Sequence, residues 1–171
     1  MSLDIFAYLK RSELCKGCSD QEIMELKTNV ELIEIPEGHT LFQEGDLADA
    51  LYVICSGNIE IRVPHDAHVE VIAKLSENAV LGEVGILTDQ IRSASAVAVT
   101  PVTLLKMTRA ALERLLSDGK LVAYKLVYQI AKILSFRLRQ MDQAIVKMMN
   151  RTSPAHEINQ LRAKLQADWP F

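Results

Sequence analysis

The sequence predicts a mainly β fold, a jelly roll or barrel, with helices at both ends. Three observations point there: short β-branched and apolar runs from Val30 to Met107, turn-forming Gly, Pro, Asn and Asp at close intervals between them, and a return to helical spacing after Thr108. A chain of 171 residues, 49% of them hydrophobic, can bury one substantial core and is short for two.

A short amphipathic segment at about Asp4 to Leu9 comes first. Ser19-Asp20-Gln21-Glu22 is a capping box with Ser19 as N-cap, and it opens a helix to about Lys27. The expected strands are Glu31 to Ile35, His39 to Phe42, Leu51 to Cys55, Asn58 to Val63, Val69 to Leu75, Ser95 to Val99 and Val102 to Met107. Thr108 is a candidate N-cap for a short helix that runs to Ser117 and stops at Asp118-Gly119. Lys120 to Met149 holds no Gly or Pro, and a seam at spacings of three and four passes through Tyr124, Val127, Ala131, Leu134, Leu138, Met141, Ile145 and Met148. Ser153-Pro154 breaks this helix, and Ala155 to Ala167 is expected to form a last, weaker one. The predicted organisation is residues 1–119 for the N-terminal helices, the roll and a short helix, 120–150 for the long helix, and 151–171 for the tail.

Charge is distributed unevenly over this organisation. The whole chain carries a net charge of −3, but residues 1–119 hold 10 Lys and Arg against 19 Asp and Glu, and residues 120–171 hold 9 against 3. The whole-chain balance argues for neither a nucleic-acid surface nor an acidic partner, and the basic charge lies in the long helix and tail. At 1.5 Å per residue a helix of about 30 residues is roughly 45 Å long. That exceeds the width of a small domain, so its distal half is expected to meet a second copy, as a homodimer, rather than its own roll.

The most informative segment is Leu81 to Val97. Gly82 and Gly85 remove side chains where a backbone approaches closely, and Glu83 to Leu87 is short enough for a single helical turn between strands. Arg92 follows ten residues after Gly82, in a stretch otherwise made of small and apolar residues. Its planar, always-charged fork suits two phosphate oxygens. Glu83 accepts from a hydroxyl but repels a phosphate, so the implied ligand carries both groups on opposite edges.

This segment resembles the phosphate-binding cassette of the cyclic-nucleotide-binding domain family, of the catabolite activator protein and cyclic-AMP-dependent protein kinase regulatory subunit type. That cassette runs Phe-Gly-Glu-Leu-Ala-Leu-Leu, a short spacer, then Pro-Arg-Ala-Ala-Thr-Val; here LGEVGIL is followed by IRSASAV. Ile91 replaces the usual proline and Leu81 the phenylalanine, and neither change removes a polar contact. A second block, PEGHTLFQEGD followed by LYVICSG, looks like the first strands of the same family. The resemblance implies a double-stranded β-helix jelly roll. It implies that Glu83 binds the ribose 2′-hydroxyl and Arg92 the cyclic phosphate, with Gly82, Val84, Gly85 and Ala94 beside them. It also implies that Ser93 touches the base side, with Tyr124 or Tyr128 as candidates for a lid over the base. The expected ligand is cyclic AMP or cyclic GMP, with no cofactor and no metal. It further implies a regulatory protein that transmits occupancy through its C-terminal helix to a separate partner. Roughly 20 residues follow that helix, too few for a winged helix, so no direct DNA contact is expected.

Two other readings stand beside this one. A dimeric scaffold of the same fold that has lost nucleotide binding would keep the strands and the seam. A cupin-type enzyme would need histidines converging on a metal, and His39, His65, His68 and His156 are not clustered in that way. No catalytic residue is therefore assigned. Cys15 and Cys18 form a CxxC without a second half at zinc-like spacing, so both are read as reduced thiols, and the family resemblance, which implies an apolar residue just before the Ser19 cap, places Cys18 in the core. The first residues, MSLDIFAYLKRSELC, show neither a basic leader nor a long apolar stretch, and the expected location is the cytoplasm, away from membranes.

Overall fold

The computed structural model describes residues 4–65, 68–88 and 90–152, with side-chain surroundings described for 4–64, 68–88 and 90–147. Helix α1 (Ile5–Arg11) starts where the Asp4 side chain accepts from the amides of Phe6 and Ala7. A 3-10 turn, Glu13–Cys15, leads to α2 (Asp20–Lys27). The capping box forms as expected: Ser19 Oγ accepts from the Glu22 amide, and the Glu22 carboxylate accepts from the Ser19 amide.

Eight strands follow: β1 (Glu31–Ile35), β2 (Thr40–Phe42), β3 (Ala50–Ser56), β4 (Ile59–His65), β5 (His68–Leu75), β6 (Val80–Leu81), β7 (Ser95–Ala98) and β8 (Val102–Thr108). Between β6 and β7 lies α3 (Glu83–Leu87), and after β8 come α4 (Arg109–Ser117) and α5 (Leu121–Thr152). The strands make two antiparallel sheets of four, ordered β1-β8-β3-β6 and β2-β7-β4-β5. All seven expected strands are present within two residues at either end. The two-residue β6 is the addition, being too short to show alternation in sequence.

Alternation along β3 sets the core. Ala50, Tyr52 and Ile54 point toward Ile59, Leu81, Ala96, Ala98, Val102 and Leu104 from both sheets. The opposite face, Leu51 and Val53 paired with Met107 and Leu105 of β8, is buried as well, and α4 packs on β8. Gly57, at φ +88°, turns the chain between β3 and β4 where a Cβ would collide with the carbonyl of Pro101. Only glycine satisfies both demands.

The chain divides into two compact units, Met1–Ala131 and Lys132–Phe171. The first takes in the beginning of α5, because Val122, Ala123, Leu126 and Ile130 are completely buried. Polar side chains hold the same stretch: Lys125 Nζ lies 2.8 Å from the Glu22 carboxylate and 3.0 Å from the Gly17 carbonyl, and Gln129 Nε2 donates to the Lys16 carbonyl at 2.7 Å. The buried stripe is not the heptad seam expected from sequence. Tyr124, Leu138, Met141 and Ile145 of that seam are 54%, 53%, 61% and 49% exposed. Met148 and the expected helix Ala155 to Ala167 lie outside the residues whose surroundings are described. Among the described residues, no helix is long and apolar enough to cross a membrane.

Two stability outcomes follow from this packing. Leu104→Ala, at a fully buried core position, should lower the unfolding free energy by about 2–5 kcal/mol, whereas Leu47→Ala at an exposed position should change it by under about 0.5 kcal/mol. Equal urea midpoints for the two variants would contradict the assigned core. The Glu22 carboxyl is held below its usual range, first by Lys125 and then by the Ser19 amide. Its contribution is therefore complete above the unfolded carboxylate value near ~4.3 and is lost as pH falls through the lower folded value. Glu22→Gln should show a shallower loss of stability than wild type between neutral pH and about pH 3. Superimposable acid limbs in urea titrations would mean that the clasp contributes nothing.

Candidate functional site

Gly82 is the hinge of the site. It sits at φ +77° as the cap of α3, and a Cβ there would stand 2.5 Å from Arg92 Nη1 and 2.9 Å from the Ala50 carbonyl oxygen. A side chain at position 82 would be strained by the backbone and would displace the guanidinium. Glu83 opens α3 with 4% exposure, the Val84 side chain is 47% exposed, and Ile86 is buried. Gly85 admits Ala48, whose Cβ would collide with any side chain there, so this glycine serves packing within the chain. Leu81, in place of the family's phenylalanine, is core. Ile91, in place of the proline, is exposed and forms an isolated bridge with Leu47.

Arg92 is 5% exposed. Its backbone is clamped on both sides, since its N–H donates to Asp46 O at 2.8 Å and its carbonyl accepts from the Gly45 N–H at 2.9 Å. The side chain turns inward, with Nη2 donating to Ala50 O at 2.7 Å and Nη1 to Gly82 O at 3.4 Å. The guanidinium carbon lies 4.2 Å from the centre of the Phe42 ring and 5.7 Å from that of Tyr52, and the two rings stack 6.0 Å apart. Buried Nε has no hydrogen-bond partner, and no carboxylate pairs with Arg92 among the described residues. Burial pushes the Tyr52 hydroxyl up from its ordinary range, while the charge of Arg92 pulls it back down.

A cleft of about 690 Å³ opens at this point, lined by Glu44, Gly45, Pro64, Gln90, Ile91, Arg92 and Ser93. Of the residues expected from sequence, Arg92 and Ser93 line it, and Gly82 receives the guanidinium. Glu83, Val84, Gly85 and Ala94 do not line it. Nor do the two lid candidates: Tyr124 donates its hydroxyl to Leu116 O at 3.4 Å, and Tyr128 is 64% exposed. The reason for the difference at Glu83 is local. Arg92 is drawn onto the carbonyl of the preceding residue, and Glu83 is buried within the turn.

Sequence reasoning missed three participants. Phe42 and Tyr52 read as strand core, with no signal of their nearness to Arg92. Arg109, the first residue of α4, donates through Nη2 to the carbonyls of Ala48 (2.7 Å), Gly85 and Thr88, tying α4 to the cassette turn. A signal for it existed, because a cation in the first turn of a helix opposes the helix dipole and needs another engagement.

The remaining marked residues hold no second site. His65 and His68 pair across the β4–β5 hairpin, and among the described residues no cluster of His, Cys, Asp or Glu could hold a metal. Cys15 is the buried thiol, pushed up to about 12 by burial, whereas Cys18, expected in the core, is half-buried; both are free.

Comparison with known proteins agrees with this geometry. The chain is 28% identical over 155 residues to a CRP-like cAMP-activated global transcriptional regulator of Mycobacterium tuberculosis, covering 90% of this chain and 67% of that protein. It is 33% identical over 135 residues to the cyclic AMP receptor protein of Thermus thermophilus, covering 78% of this chain and 61% of that protein. This chain thus spans about two thirds of the length of these relatives. A cyclic nucleotide-binding domain from Methylobacillus flagellatus KT superposes with a TM-score of 0.75 at 26% identity, covering 84% of this chain and 82% of that one. Residues 32–118, which hold all eight strands except the first residue of β1 and also the cassette turn and Arg92, match the family model for the cyclic nucleotide-binding domain, and the chain belongs to that family.

Proposed function

We propose that this chain binds a cyclic nucleotide in the cleft beside Arg92 and acts, without catalysis of its own, as a regulatory module. The observation that carries the reading is the buried guanidinium with an unpartnered Nε and no carboxylate beside it among the described residues, on a residue that borders an open cleft. A buried charge is stabilised by an anion, and a cyclic phosphate supplies one with two free oxygens. On this reading Glu83 meets the ribose 2′-hydroxyl, the backbone of Gly82, Val84, Gly85 and Ala94 borders the sugar-phosphate, and Ser93 faces the base side. Cyclic AMP, which both curated relatives carry in their names, is the first candidate and cyclic GMP the second.

Transmission is proposed to run from α3 through Arg109 into α4 and on to α5, as a shift between two populations of helix packing. The exposed seam of Tyr124, Leu138, Met141 and Ile145 supports a second copy of the chain as its occupant, because its three-and-four spacing is self-complementary. The downstream partner is proposed to be a protein, and no DNA contact is assigned to these 171 residues. Three free cysteines support a reducing, cytoplasmic location.

A second reading, the scaffold without nucleotide affinity, is favoured by one observation: Arg92 is already bonded to two carbonyls while Glu83 stands outside the cleft lining. Calorimetry separates the two. Wild type should bind one cyclic nucleotide per chain, and Arg92→Ala should lose about 2–5 kcal/mol of affinity. No heat with either nucleotide favours the scaffold, and unchanged affinity in Arg92→Ala removes the assignment. For the seam, Leu138→Glu or Met141→Glu should yield a monomer by light scattering, since a charge there would be buried unpaired against a second copy. A wild type that is monomeric at high concentration removes the dimer.

A further inference from the structure

We infer that the stacked pair Phe42 and Tyr52 is a positioning platform that sets the orientation of the Arg92 guanidinium, and through it the affinity for the ligand's phosphate; this rests on the reading of the cleft as a cyclic-nucleotide site. Hydrogen bonding holds the guanidinium at one edge only: Nη2 donates to Ala50 O at 2.7 Å, the contact of Nη1 with Gly82 O is long at 3.4 Å, Nε has no acceptor, and the Tyr52 hydroxyl lies within electrostatic reach. The rest of the contact is aromatic: the Phe42 ring centre lies 4.2 Å from the guanidinium carbon and that of Tyr52, which stacks beside Phe42 at an interplanar angle of 28°, lies 5.7 Å from it. A planar cation over an aromatic face in a desolvated site is held in its plane while its N–H edge stays available to an acceptor.

The local backbone is shaped for this contact. The register between β2 and β7 shifts between Thr40 and Phe42, placing two β2 residues against one on β7. A bulge of this kind re-aims the side chain that follows it. Tyr52, on β3, pairs with Leu81 of β6, the residue before Gly82, so the second ring of the platform is carried on the same ladder as the turn that receives the guanidinium. The two aromatic residues thus come from both sheets and meet under one charge.

The test uses the full chain with cyclic AMP and cyclic GMP as probes. Phe42→Leu should weaken binding about 3- to 30-fold, the range of a desolvated cation–aromatic contact converted to affinity, and Phe42→Tyr should restore it. In an Arg92→Ala background, Phe42→Leu should have no further effect, whereas a general loosening of the fold would add to the loss. Independently of ligand, the ring current of Phe42 should displace the Arg92 Nε–H resonance upfield in wild type and in Phe42→Tyr, and Phe42→Leu should abolish that displacement. Wild-type affinity in Phe42→Leu, or additive losses in the double variant, overturns the platform and leaves the nucleotide reading standing. A wild type that binds neither nucleotide overturns that reading itself, and the ligand role of the platform with it.

Discussion

One buried positive charge, with no carboxylate paired to it among the described residues, governs the site. Removing a guanidinium from water costs several kcal/mol unless its surroundings replace the lost hydration. Around Arg92 the replacement is partial: two carbonyls, two ring faces and one unsatisfied N–H. Release to solvent is prevented by the backbone, because the Gly45-Asp46 turn holds residue 92 by two hydrogen bonds of 2.9 and 2.8 Å. The fold therefore retains an incompletely compensated charge beside a cleft. That arrangement favours an incoming anion over an empty site, and it explains why position 82 must be glycine: any side chain there would evict the charge.

A second arginine converts the local arrangement into a connected one. Arg109 reaches from the start of α4 to the Ala48 carbonyl ahead of β3 and to two carbonyls of the cassette turn, so one side chain ties α3 to the N-terminus of α4. Hydrogen bonds to a charged donor are roughly twice as strong as neutral ones. Downstream, α4 ends at Ser117, Lys120 and Lys125 pair with Glu25 and Glu22 of α2, and Gln129 donates to the Lys16 carbonyl ahead of α2. On the proposed reading, the path from cleft to long helix combines these polar contacts, which have discrete alternative partners, with the buried apolar faces of α4 and the start of α5.

Much of this was legible in the sequence where local chemistry decides the outcome. The capping box at Ser19 and Glu22, the seven alternating strands, the single turn from Glu83 and the cap at Thr108 are set by neighbours within a few residues, and each lies where the pattern places it. Gly82 and Arg92 were legible through their spacing. What the sequence did not show depends on residues far apart along the chain. Phe42 and Arg92 are fifty positions apart and meet only after β2 pairs with β7, and the inward turn of Arg92 depends on the Ala50 carbonyl across the roll. The cleft lining differs from expectation for the same reason: Glu44, Gly45 and Pro64 come from loops and strands that no cassette motif mentions.

The long helix carries two overlapping patterns. A helix presents distinct faces at residues a turn apart, and here Val122, Ala123, Leu126 and Ile130 form the face the roll buries while Tyr124, Leu138, Met141 and Ile145 form another. The heptad count finds the second face because it extends over more turns, and it passes over the first because that face ends after about three. Both faces belong to one helix, α5, which holds no internal Gly or Pro, so a pattern read along it has no break to separate them.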